Sequence, residues 1–130
     1  HVLEHMGGAA QALSLLSESS RVLKSGGILL LISPSFLDYG PEFYNVDYTH
    51  TFVTTEMRVR QMVNDAGFAE CRVSHHYGNF FSDFGRLPNI ICRTTSRLLG
   101  ICLPRQWGRR DKVQKLGMLF AENIVLIARK

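Results

Sequence analysis

The chain has 130 residues, 45% of them hydrophobic and 20% charged, an ordinary globular composition that sets aside disordered, fibrous and collagen-like classes and leads us to expect one core. The formal net charge of +4 is unevenly spread: residues 86–115 hold eight Lys/Arg (Arg86, Arg93, Arg97, Arg105, Arg109, Arg110, Lys112, Lys115) against Asp111 alone, so that window is +7 and the remainder −3. Three cysteines, Cys71, Cys92 and Cys102, are odd in number and without CxxC spacing, which argues against a disulfide framework or a thiolate zinc site and for a reducing, cytoplasmic compartment.

The chain opens on "HVLEHM" without the charged start, apolar run and small-residue cleavage site of a signal peptide, and reads as lacking an amino-terminal half. From Gly8 to Leu23 the apolar residues Ala9, Ala12, Leu13, Leu16 and Leu23 recur at helical spacing, an amphipathic helix expected to stop at Ser25-Gly26-Gly27. Ile28–Ile32 follows as an unbroken apolar strand; such a run predicts cover on both faces, as in a parallel α/β sheet, since one-sided sheets alternate. The loop "SPSFLDYGPEFYNVDYTHTF" comes next, at the carboxyl end of that strand, where open α/β sheets bind ligands.

Thr54 is the expected N-cap of a second helix with Glu56 near its positive end, and Val59, Met62, Val63 and Ala66 form its apolar stripe. Gly67 should stop it, with Phe68 packing back over the last turn. "AECRVSHHY" reads as a strand with Cys71, Val73 and His75 on one face, where His75-His76 is read as a strand pair rather than as ligands. Residues 79–121 read as a basic helical insertion. Within it Leu87, Ile91, Thr94, Leu98 and Ile101 line one side of a helix ended by Pro104, Arg93, Ser96, Arg97 and Gly100 lie opposite, and a short helix is expected over Asp111–Ala121. "NIVLIA", Asn123–Ala128, is the last expected strand. No internal repeat is visible.

The phrases "HVLEH", "RVLKSGGILLLISP", "DYTHTFVTTEM", "NDAGF" and "ENIVLIARK", in this order, resemble the carboxyl-terminal half of a class I S-adenosylmethionine-dependent methyltransferase with a type 11-like domain. Ser25 stands where the family usually has proline. The resemblance implies an α/β fold, the second half of a Rossmann-like sheet with its last strand antiparallel to the others. It also implies S-adenosyl-L-methionine as cofactor, although the family's glycine loop and ribose-binding acid lie outside these residues. His1, Val2 and Leu3 would then line the cofactor cleft, and Phe36, Tyr39, Tyr48 and His50 the acceptor side. His5 and His50 are the candidate catalytic residues, each either a base or a structural histidine, with Asp47 placed to orient His50.

Some related quinone O-methyltransferases have "ExxEH" here and use a divalent metal. This chain has His1 in place of the first Glu; His1, Glu4, His5, Asp47 and His50 supply metal-ligand types, yet no metal is expected from so short a motif. The inverted-zincin pattern HxxEH also matches literally, against the α/β context. The implied activity is methyl transfer to a small-molecule or lipid-linked acceptor, with oxygen the expected atom; the alternative is a noncatalytic, membrane-associated or partner-binding remnant. For the 86–115 segment three readings stand: peripheral contact with an anionic membrane, nucleic-acid binding, which the lack of interleaved aromatics disfavours, and a helical cap packed on the sheet with solvated arginines. Arg93 and Arg97 interrupt its apolar run, which is too short to span a bilayer.

Overall fold

The computed structural model of the protein describes residues 1–77, 86–102, 112–113, 117 and 120–130. The chain divides into two compact units, one formed by His1–His75 with Asn123–Lys130, the other by His76–Glu122.

The first unit begins with a single 3-10 turn, Leu3–His5, followed by helix α1, Ala9–Val22. Ala12 and Leu16 are buried, and Leu13 and Leu23 pack beside them, as the helical spacing predicts. The glycines, however, do not cap this helix: Leu23 already adopts an extended backbone, and the N–H of Gly27 closes a tight turn on the carbonyl of Lys24 at 2.8 Å. Glycine is required at both turn positions, because Gly26 has φ +76° and a Cβ on Gly27 would meet the Lys24 carbonyl oxygen at 2.8 Å.

Strand β1, Ile28–Pro34, occupies an edge of a three-stranded sheet ordered β1-β3-β2, with β2 Glu70–Tyr77 and β3 Glu122–Arg129. β1 runs antiparallel to β3, in the register Leu29↔Ala128, Leu31↔Leu126 and Ser33↔Ile124. The fold is mixed α/β. Within these 130 residues only one of the two expected faces is covered: Leu29 and Leu31 pack on the core, whereas Ile28, Leu30 and Ile32 are 56%, 60% and 38% exposed. An apolar run without alternation conceals which side turns inward; the antiparallel register, with its alternating side chains, reveals it.

Helices α2, Phe36–Tyr39, and α3, Glu42–Val46, occupy the aromatic loop. Helix α4, Glu56–Asp65, is capped by Thr55, whose hydroxyl accepts from the Arg58 N–H at 3.3 Å. The expected cap, Thr54, is instead buried and donates to the carbonyl of Pro34; a side chain drawn into the core is not free to cap. The helix ends in a Schellman pattern: Phe68 N–H donates to Val63 at 3.3 Å, Gly67 N–H to Asn64 at 3.0 Å, and Gly67 takes φ +86°. Phe68 is buried with Val59, Val63, Leu16 and Leu126.

In the second unit the described helix is α5, Arg86–Cys102. Leu87, Ile91, Thr94, Leu98 and Ile101 do share a side, but that side is exposed, while Asn89 and Ser96 are buried. The side read as apolar is thus the exposed one, and buried positions lie on the polar side. Small groups explain the polar side: a Cβ on Gly117 would lie 3.2 Å from that of Ser96, so the backbones approach closely there. Pro104 and most of the expected helix over Asp111–Ala121 lie outside the described residues.

Candidate functional site

The 3-10 turn Leu3–His5 is stitched to the loop before α4. The Glu4 carbonyl accepts from the N–H groups of Thr51 and Phe52 at 2.9 and 3.0 Å, and the Thr51 hydroxyl donates to the Met6 carbonyl at 2.7 Å. This pairing brings His5 against His50, ring centroids 4.9 Å apart. A turn of three residues also separates this chain from HxxEH proteases, which present the motif along a helix.

Each imidazole is held by its Nδ1. His50 Nδ1 lies 2.6 Å from the carbonyl oxygen of Phe43; a carbonyl only accepts, so Nδ1 carries the hydrogen and Nε2 of the neutral ring keeps its lone pair. His5 Nδ1 lies 2.7 Å from Thr49 Oγ1, whose own hydrogen goes to Asp47 Oδ1 at 2.7 Å. With its single hydrogen committed there, the Thr49 hydroxyl accepts from His5, and Nε2 of the neutral His5 ring likewise keeps its lone pair. Asp47 also accepts from the Thr49 N–H at 2.9 Å, an Asx turn. Those hydrogen bonds from Thr49, aided by the nearby charges of His50 and His5, hold the Asp47 carboxyl below its usual range.

Glu4 is fully buried. Its Oε1 meets His1 Nδ1 at 2.9 Å, its Oε2 accepts from the Ser33 hydroxyl at 3.0 Å, and His5 Nε2 stands 4.0 Å from Oε1. Tyr39 is close enough that the charges of Asp38 and Glu4 add to burial, the main cause, in raising its phenol above the ordinary value. Glu4, His5 and His50 offer donor atoms that all lie within 4.8 Å of one another; a tetrahedral cation would draw such donors to roughly 3.3 Å, from bond lengths near 2.0 Å, so cation binding would need side-chain movement.

The aromatic residues of the loop form a wall beside the histidines. Phe36 packs edge-on to Phe43 at 5.5 Å, Phe43 to Tyr44 at 5.3 Å, and Phe43 meets His50 at 4.8 Å. Of the residues singled out from the sequence, His5, His50, Phe36 and Tyr39 gather here. Tyr48 stands apart at 93% exposure, and Leu3 sends its side chain into the core, leaving its backbone as what a cleft could use; Val2 and His1 are exposed. Asp47 does not reach the His50 ring as expected: the Asx turn directs its carboxylate to Thr49, and through Thr49 to His5. Thr49, Ser33 and Phe43 escaped the sequence reading, since neutral hydroxyls and one more aromatic carry no pattern; only the Asp-x-Thr spacing of an Asx turn foreshadowed Thr49.

A separate depression on the sheet, lined by Ile28, Glu70, Arg72, Ile127 and Arg129, holds no comparable cluster. Among the described residues, no helix is long and apolar enough to cross a membrane.

No family model and no curated protein matches the sequence. Among solved structures, the chain is similar to a SAM-dependent methyltransferase from Archaeoglobus fulgidus, at 15% identity and a TM-score of 0.61, with all of this chain and 56% of that one covered. The chain thus spans little more than half the length of that protein. A likeness over the whole chain at this identity concerns architecture, and the chain has a methyltransferase-like fold.

Proposed function

We propose that this chain is the carboxyl-terminal half of a class I, type 11-like methyltransferase domain and forms the acceptor side of its site, with the three strands as the end of a Rossmann-like sheet. The observation that carries the reading is the methyltransferase-like fold of the whole chain combined with two imidazoles, anchored through Nδ1, whose Nε2 atoms keep their lone pairs beside an aromatic wall. S-adenosylmethionine would supply a methyl group on a sulfonium, an electrophile with an excellent leaving group. The chain's own residues then have two tasks. The aromatic wall of Phe36, Phe43 and Tyr44 positions a small-molecule or lipid-linked acceptor, and His50 or His5 takes the proton that an acceptor hydroxyl releases as it is methylated. The Asp47–Thr49 pair positions His5 and does not itself meet the acceptor.

The open apolar face of β1, Ile28, Leu30 and Ile32, fits a preceding segment that completes the sheet and carries the glycine loop and ribose-binding acid. His1, Val2 and the Leu3 backbone would border that segment. On this reading the 130-residue chain by itself has negligible affinity for S-adenosylmethionine. Isothermal titration of the cofactor into the chain should give no heat of binding, while the longer gene product containing it should bind; micromolar binding by the chain alone would contradict the division of labour.

A further inference from the structure

Helix α5 presents its apolar residues to solvent. Leu87, Ile90, Ile91, Leu98 and Ile101 are 68%, 44%, 56%, 58% and 70% exposed. At 100° per residue they fall, with Thr94, within an arc about 100° wide that runs the length of a helix roughly 25 Å long. This is one continuous stripe rather than the scattered apolar residues found on most protein surfaces.

Charge indicates what covers it. The helix carries Arg86, Arg93 and Arg97 and no acidic residue, and the surrounding 86–115 window is +7. Arg93 and Arg97, both half-buried, follow the stripe along one border in helical projection. Two copies of such a face brought together would set cation against cation. A surface that is negative at its headgroups and apolar just beneath them satisfies both features of the helix at once. Its length and its arginines exclude a spanning role among the described residues.

We propose that the exposed face of α5 docks this protein on an anionic phospholipid bilayer, with the helix lying in the plane of the interface and Leu87, Ile91, Leu98 and Ile101 entering the acyl boundary. The proposal is independent of the methyl-transfer reading, because it rests on α5 alone and is measured without cofactor or acceptor.

The test is cosedimentation of the 130-residue chain with phosphatidylcholine vesicles containing about one-third phosphatidylserine, and with pure phosphatidylcholine vesicles, at low and at high salt. Binding should require phosphatidylserine and weaken by about tenfold or more when the Debye length shrinks from ~10 to ~3 Å. The double variant Ile91→Asp/Leu98→Asp should lose about tenfold or more in partitioning while keeping its circular dichroism spectrum, since both positions are exposed. Absence of vesicle binding at low salt would overturn the proposal. So would equal binding to neutral vesicles that the double variant leaves unchanged, or a dimer in light scattering that the variant dissociates without any vesicle binding, which would assign the face to a second copy.

Discussion

At the scale of single residues, the site depends on a hydroxyl at His5 and a backbone carbonyl at His50 deciding which ring nitrogen keeps its lone pair. His5 reaches Thr49 and Thr49 reaches Asp47, while His50 leans on the Phe43 carbonyl. We expect both rings, in their neutral form, as the Nδ1–H tautomer, read by long-range proton–nitrogen correlation. Thr49→Val should shift the His5 ring nitrogens and leave those of His50 unchanged; equal shifts in both rings would refute the separate anchoring. Glu4 is a second such position, buried with His1 and Ser33 on its oxygens. Glu4→Ala strands the Ser33 hydroxyl and should lower stability by about 1–3 kcal/mol in chemical denaturation. The sequence displayed His5, His50 and Asp47 as chemistry-bearing types. It did not display their pairing, because the contact between the Leu3–His5 turn and the 47–52 loop is tertiary and the connecting Thr49 has no charge to mark it.

At the scale of elements, the helical periodicities were legible and the boundaries and faces less so. α1 buries Ala12 and Leu16 but leaves Ala9 exposed, α4 buries Val59 and Val63, and the Schellman ending of α4 is written in "NDAGF". β1 and α5 mislead for opposite reasons: β1 is apolar at every position from Ile28 to Ile32, so periodicity cannot choose a face, and α5 has a clear apolar face that the chain leaves uncovered. α4 and β2 are linked by Glu56, which accepts from Arg60 at 2.9 Å and meets His75 Nε2 at 3.0 Å. Those bonds, from Arg60 first and His75 second, lower the Glu56 carboxyl below its ordinary 4.5. A depressed carboxylate contributes stability above its unfolded-state value and loses it as pH falls through the folded one. Melting curves should therefore show native protein above Glu56→Gln at neutral pH, with the difference shrinking as pH drops below about 4.5. The exposed pair is screened by solvent, so the difference should be small; a difference that grows in acid would contradict the assignment.

At the scale of the molecule, the three-stranded sheet ends at β1, whose outer apolar residues are exposed, and the methyltransferase-like fold matches 56% of the length of the Archaeoglobus fulgidus protein. The phrases from "RVLKSGG" to "ENIVLIARK" made this architecture legible where composition alone allowed any globular domain. The acceptor was not legible, because aromatic walls and basic imidazoles suit many hydroxyl compounds. The proposed division of labour gives the residues around His50 to the acceptor and leaves cofactor binding mainly to residues outside this chain. It is tested most directly by measuring, in the complete gene product that contains this chain, single-turnover methyl transfer and S-adenosylmethionine affinity for native protein and His50→Ala. Loss of a general base should lower turnover by ~10²-fold or more and leave cofactor affinity nearly unchanged, whereas unchanged turnover with lost cofactor affinity would contradict the account.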